Sequence, residues 1–291
     1  MDVTVVLVTY NSAQYVRECV ESVAAQEGVQ TEIMIVDNLS QDNTVEVVRG
    51  LKSVTKLMAN RENIGFGRGC NQGAAAGTGR YIYLLNPDAQ LVQRDGFARL
   101  IRQMEAHPRW GMAGTLILSP DGHKESPPAA HYPDQLRIGA DFSHLPGEIA
   151  WIMGASVFLR RDVYEAVGGF DPEFFLSSEE TDLCLRVRKQ GYEIGFVPEV
   201  EARHVGFGSE HDRDPFDVWF PRMNGLLLFW KKHYPPEGVK CLARRNLLRA
   251  RYRVLVNGLL AGLQPARSKA WKKKRRYQGI AAAAEKFLAS A

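Results

Sequence analysis

The chain is 291 residues long, with 45% hydrophobic and 24% charged residues, the proportions of a soluble globular protein able to bury a large core. No apolar run approaches the roughly 18 to 20 residues that span a bilayer, and no leader-like segment opens the chain, so the expected location is the cytoplasm. The formal net charge of +4 is modest but uneven: sixteen Lys or Arg and one acid, Glu237, fall between Arg222 and Gln278. Four scattered cysteines, Cys19, Cys70, Cys184 and Cys241, form no CxxC or Cys/His cluster and read as buried free thiols.

Residues 3–8 are an uninterrupted β-branched and leucine run ending at Thr9-Tyr10-Asn11, which suits a strand covered on both faces. Ser12 is placed to cap the following helix, whose apolar stripe is Tyr15, Val16, Cys19, Val20 and Val23. A second buried strand over residues 32–36 ends in Asp37-Asn38, with Ser40 placed to cap the next helix, and residues 54–58 read as a third strand. Gly65, Gly67 and Gly69 then precede a small-residue helix over 70–76. The apolar run up to Leu85 stops at Asn86-Pro87-Asp88, because Pro87 cannot donate to a sheet ladder. Strand alternating with helix implies an α/β fold with a mostly parallel sheet and right-handed crossovers. Ligands of such sheets bind beyond the carboxyl ends of the strands, where Thr9-Tyr10-Asn11, Asp37-Asn38 and Asn86-Pro87-Asp88 should converge.

No glycine fingerprint follows the first strand and no Walker-type loop is present, which excludes the common dinucleotide and P-loop sites. The later glycine cluster either approaches a ribose or phosphate or makes a tight turn. Asp37 could accept a hydrogen bond from N3–H of uracil or thymine, and Asn86 and Asp88 suit a hard cation, a ligand hydroxyl or a plain turn. Residues 119–147 read as a long loop of the kind that tends to be functional in compact domains. Residues 151–159 are apolar around Gly154-Ala155-Ser156, a strand or buried turn allowing close approach of a ligand. Ser177 or Ser178 is expected to cap a helix whose first turn holds Glu179, Glu180 and Asp182, acids that also suit the helix dipole. A strand over 194–200 leads to His204.

These motifs together resemble glycosyltransferase family 2, and its rhamnosyltransferase-like members above all. The resemblance is carried by Val5-Val6-Leu7-Val8-Thr9-Tyr10-Asn11, Ile35-Val36-Asp37-Asn38-Leu39-Ser40, Asn63-Ile64-Gly65-Phe66-Gly67 and Leu85-Asn86-Pro87-Asp88-Ala89. It continues through Gly154-Ala155-Ser156, Gly168-Gly169-Phe170-Asp171 and Glu179-Glu180-Thr181-Asp182 to His204. It implies a GT-A fold, Rossmann-like with helices flanking the sheet and a C-terminal helical appendage, and an inverting transfer from a dTDP- or UDP-sugar with a divalent metal, Mg2+ or Mn2+. Carried over by position, it gives Thr9, Tyr10, Asn11, Asp37, Asn38, Asn63, Gly65, Asn86, Gly154 and Ala155 to the substrates, and Asp88 and His204 to the metal. Glu180 becomes the general base, with Glu179 as the alternative. Asn86 departs from the family's Asp-x-Asp and is expected to bond the ribose or a metal-bound water.

The implied reaction moves L-rhamnose from dTDP-L-rhamnose onto a lipid-linked or polysaccharide acceptor. Another UDP- or dTDP-sugar, or a non-catalytic nucleotide-sugar-binding membrane scaffold, is the alternative. The expected division is a catalytic domain over 1–220, with a nucleotide-sugar half over 1–110 and an acceptor half over 111–220, then a basic helical region over 221–291. That region reads as helices over 224–233, 238–263 and 266–289. Leu247, Leu248, Leu255, Leu259 and Leu260 form an apolar face among Arg244, Arg245, Arg249, Arg251 and Arg253. An anionic membrane at the inner face of the cell membrane is the expected partner, a homodimer contact the alternative, and nucleic acid is not expected.

Overall fold

The computed structural model describes residues 1–123, 128–206, 213–262 and 268–290. They fall into two compact units, the first made of Met1–Tyr132, Asp141–Glu173 and Glu180–Ser209. Its amino-terminal elements are β1 (Val3–Thr9), α1 (Val16–Ala24), β2 (Thr31–Asp37), α2 (Thr44–Arg49), β3 (Lys56–Ala59), α3 (Phe66–Ala76) and β4 (Tyr81–Leu85). There follow β5 (Ala89–Leu91), α4 (Gly96–Ala106) and β6 (Trp110–Leu118), then α5 (Gln135–Ile138) of the second unit. The first unit resumes with β7 (Ser156–Arg160), α6 (Arg161–Ala166), α7 (Glu179–Lys189), which belongs to it from Glu180 on, and β8 (Glu193–His204).

The eight strands form one sheet in the order β3-β2-β1-β4-β7-β6-β8-β5. Every residue of β1 and β4 is buried, as their unbroken apolar runs require of strands covered on both faces. The two-residue alternation of β1 feeds two cores. Val3, Val5 and Leu7 pack with α1 and α4 through Val20, Phe97 and Leu100, while Val6 and Val8 pack with α3, α6 and α7 through Cys70, Tyr164 and Leu183. Strands β3, β2, β1 and β4 are parallel, whereas β7 runs antiparallel to both β4 and β6.

Several local expectations shift. Neither Ser12 nor Ser40 caps a helix: α1 begins after Tyr15 and α2 after Asn43, and both hydroxyls bond within the loops instead. Ser177 and Ser178 both have positive φ, 72° and 69°, unlike the extended backbone of an N-cap. The long loop contains α5 and a bridge between Ala129 and Trp151. Cys19, Cys70 and Cys184 are buried as expected, and burial pushes the Cys184 thiol up to about 12, but Cys241 is exposed.

The second unit comprises Pro133–Ala140, Phe174–Glu179 and Glu210–Ala291. Its long helices are α8 (Pro215–His233), α9 (Pro236–Gly262) and α10 (Lys269–Ser290). The helix expected over 224–233 thus begins at Pro215, capped by the Asp214 carboxylate, which accepts from Phe216 N–H at 2.8 Å. Pro221 lies inside it and cannot bond the Asp217 carbonyl four residues back, and the Arg213 guanidinium donates there instead at 3.4 Å. Helix α10 meets α8 at Gly279, where a Cβ would come within 2.8 Å of the Phe216 carbonyl, and Arg276 lies 3.5 Å above the Trp219 ring. The expected break at Gln264-Pro265 lies outside the described residues.

Candidate functional site

The carboxyl ends of β1 and β2 are in register, Thr9 opposite Asp37, and their loops are laced together. Asp37 is 1% exposed, and its Oδ1 accepts from Thr9 Oγ1 at 2.8 Å and Ser40 Oγ at 2.5 Å, while Oδ2 accepts from Ser40 N–H at 2.9 Å. Oδ2 is therefore the oxygen that keeps an acceptor site for a further donor. Asn11 and Leu39 both have positive φ, 51° and 64°. The conformation is held because Asn11 N–H donates to Ser40 Oγ at 2.9 Å and Asn11 Oδ1 accepts from Gln41 N–H at 2.7 Å. Asp42 and Thr44 complete the lacing by accepting from Ala13 and Ser12 N–H. Tyr10 is half-buried on the same loop.

Asn38, 2% exposed, turns toward the third loop, donating from Nδ2 to the Gly65 carbonyl at 3.0 Å and accepting from Asn60, which exchanges hydrogen bonds with Gln72. Asn63 Oδ1 accepts from Gly65 N–H, closing a turn in which Gly65 has φ 88°. Gly69 lies in α3, where a Cβ would come within 2.9 Å of the Val8 side chain. Gly65 thus makes a tight turn and Gly69 a close helix–strand contact, both compatible with either reading of the glycine cluster.

The second cluster forms where β4 ends. Asn86 N–H donates to the Ala155 carbonyl at 3.0 Å, and the Asn86 carbonyl accepts from the Cys19 thiol at 3.4 Å, which fixes the turn ahead of Pro87. Strand β5 starts at once and pairs antiparallel with β8, setting Ala89 opposite His204, and Val205 N–H donates to the Asp88 carbonyl. That register brings His204 Nε2 to 3.3 Å from Asp88 Oδ1 and 3.3 Å from Asn86 Nδ2, with the Asp88 and His204 side chains each 11% exposed. The β5–β8 pairing, which sequence periodicity does not reveal, is what joins these residues across 116 positions.

Gly154 connects this cluster to α7. Its neighbour Ala155 holds Asn86, while a Cβ on Gly154 would fall 3.3 Å from the Glu180 Cβ, so Glu180 lies against the same turn. Glu180 is partly exposed and Glu179 is buried. Helix α7 is anchored by Arg186, which bonds the buried Asp182 carboxylate at 2.7 Å and the Val167 and Gly169 carbonyls at 2.8 and 2.7 Å. Ser40, Asp42, Thr44, Asn60, Gln72 and Arg186 thus support the site without having been singled out for it in the sequence.

One carboxylate and one imidazole, Asp88 and His204, form a donor set that a hard or borderline divalent cation accepts, with the remaining positions left to phosphate oxygens and water. Among the described residues no group of three His, Cys, Asp or Glu is arranged to hold a metal, and Asp88 and His204 are a pair of such donors brought together at this turn. Residues 207–212, which follow His204 and Val205-Gly206, lie outside the described residues.

The chain is 26% identical over 245 residues to an N-acetylglucosaminyl-diphospho-decaprenol L-rhamnosyltransferase of Mycobacterium tuberculosis, covering 72% of this chain and 78% of that protein. It is 24% identical over 241 residues to the rhamnosyltransferase WbbL of Escherichia coli K12, covering 74% and 86%. A mannosyltransferase of Pyrobaculum calidifontis, solved with GDP-Man and Mn2+, superposes with a TM-score of 0.61 at 19% identity over 98% of this chain and 86% of that one. The fold is GT-A. Residues 4–168 match the model of glycosyl transferase family 2, and the chain belongs to that family.

Proposed function

We propose that this glycosyltransferase moves L-rhamnose from dTDP-L-rhamnose to a lipid-linked acceptor, with inversion at the anomeric carbon. The observation that carries the reading is the approach of Asp88, His204 and Asn86 at the end of β4, joined through Ala155 and Gly154 to Glu180. In this reading the laced β1 and β2 loops receive the nucleoside, with Asp37 Oδ2 or the surrounding backbone meeting the base. Asp88 and His204 would hold a Mg2+ or Mn2+ ion, which when bound supplies positive charge against the departing diphosphate. Asn86 would bond the ribose or a water held by that ion. Glu180 takes the proton of the acceptor hydroxyl as its oxygen attacks the anomeric carbon and the carbon–oxygen bond to the diphosphate breaks. The partial exposure of Glu180 beside a buried Glu179 supports Glu180 as the base.

The choice of sugar and acceptor rests on the relatives named for rhamnosyl transfer, one of them acting on a diphospho-decaprenol lipid. A lipid-linked acceptor would place the reaction at the inner face of the cell membrane. A thermal-shift panel of dTDP- and UDP-sugars with and without Mg2+ or Mn2+ tests the donor, since a ligand that binds only the folded state raises the melting temperature. Stabilisation by dTDP-L-rhamnose and metal is expected, and stabilisation by UDP-N-acetylglucosamine but not dTDP-L-rhamnose would replace the donor.

A further inference from the structure

Helix α9 packs on one side only. Val239, Ala243, Ala250 and Asn257, spaced seven residues apart after the first step, are between 0% and 6% exposed. On the opposite side Leu248, Tyr252, Leu255 and Leu259 are 68%, 63%, 68% and 77% exposed. Steps of four, three and four residues at about 100° each keep these four within about 60° of arc, a straight apolar stripe about 16 Å long. Arg244 and Arg251 border it on one side and Arg245 and Arg249 on the other, all exposed. Lys274 of α10 extends the first border, its Cε 3.9 Å from where a Gly258 Cβ would stand. Helices α9 and α10 together carry thirteen Lys or Arg against two acids, Glu237 and Glu285, and Glu285 is bonded to Arg251 at 2.9 Å.

We infer that this stripe is the surface by which the protein docks on an anionic phospholipid bilayer. Apolar side chains flanked on both sides by arginines match the acyl boundary beneath a negatively charged headgroup layer, and Tyr252 suits the interface between them. A second copy of the chain would be a poorer occupant. Two such helices facing across a twofold axis would set arginine against arginine, with Glu237 as the one acid α9 offers in return. The inference bears on the lipid-linked acceptor proposed above but does not depend on which sugar is transferred.

The test uses the full chain and sucrose-loaded vesicles of phosphatidylcholine with or without about a third phosphatidylglycerol. Cys241, seven residues before Leu248 and exposed where Cys19, Cys70 and Cys184 are buried, carries an environment-sensitive fluorophore as a second readout. The wild type should sediment with the anionic vesicles at low salt and shift its emission to the blue, and should leave them as salt rises. Replacing Leu248, Leu255 and Leu259 together by serine should weaken partitioning at least about tenfold. Replacing Arg244, Arg245 and Arg249 by serine should remove the preference for anionic lipid. Both variants should keep the melting temperature and the dTDP-induced shift of the wild type. Failure of dTDP to stabilise any of the proteins would count against the donor reading, not against this surface. Unchanged partitioning of the triple leucine variant, no binding of the wild type at low salt, or a dimer that this variant splits into monomers without any vesicle dependence would overturn the inference.

Discussion

Asp88 and Asn86 share a turn but differ in what their removal leaves behind. Asp88 brings the negative charge of the cluster, and Asn86 contributes one polar contact to His204. Asp88→Ala is therefore expected to abolish turnover and to remove any increase in nucleotide-induced stabilisation brought by Mn2+, whereas Asn86→Ala lowers turnover and retains that increase. Metal-independent stabilisation of equal size in wild type and Asp88→Ala would take the cation away from this residue. At Gly154 the space for a Cβ is tight, 3.3 Å from Glu180, and a branched side chain must push Glu180 aside. Gly154→Val should lower kcat by about tenfold or more, because small misplacements of a reacting group are costly, with little change in donor binding. A kcat unchanged in this variant would detach Glu180 from the reaction. The residues that meet here were legible in the sequence as polar stops on apolar runs. Their partners were not: Ser40 looked like a helix cap, but its hydroxyl donates to Asp37 and accepts from Asn11 N–H in the loop after β1.

Among the elements, α7 matters most because it presents Glu180. Its position depends on Arg186, which joins Asp182, 1% exposed, to the carbonyls of Val167 and Gly169. Arg186→Leu leaves a buried carboxylate and two carbonyls without this partner, and should destabilise the fold by about 3 kcal/mol, read as a lower midpoint in urea. A midpoint within error of wild type would show that α7 is held by its apolar face alone. Strands β1, β2 and β4 could be read from sequence to within a residue or two, since runs such as residues 3–8 suit only a doubly covered strand. Strand β5, three residues long, and β6, with Gly111, Ala113, Gly114 and Thr115 among its nine, were not read. Neither carries a clear period. The antiparallel insertion of β7 was also hidden, because apolar content marks a strand as buried but says nothing of the direction of its neighbour.

At the scale of the whole molecule, the sheet is tied near its other edge by Glu32. Burial raises its pKa, but hydrogen bonds from the backbone of Thr78, the hydroxyl of Thr4, the backbone of Gly79 and the hydroxyl of Thr78 outweigh it and hold the carboxyl below its ordinary value. A carboxyl depressed in the folded state contributes stability that is present above its unfolded pKa and is lost as pH falls through the folded one. The difference in melting temperature between wild type and Glu32→Gln should therefore be full near neutral pH and shrink below about pH 4.5. A difference that does not change between pH 7 and pH 3 would exclude this linkage. The basic helices α8 to α10 were visible in sequence as charge and amphipathic spacing. The start of α8 at Pro215 was not, because Pro221 reads as a stop unless the Arg213 contact that replaces its missing hydrogen bond is known.

Glu180 as the base of a sugar transfer is the role on which the proposed reaction depends. The most direct measurement is release of nucleoside diphosphate from dTDP-L-rhamnose, in the presence of a lipid-linked acceptor, by wild type and Glu180→Gln, with the donor-induced melting shift of each recorded alongside. Loss of a general base of this kind removes about 10²- to 10⁴-fold of rate, so turnover should fall in that range while the melting shift stays as in wild type. Turnover of Glu180→Gln within a few fold of wild type, with donor binding intact, would contradict the account and move the base elsewhere, first to Glu179.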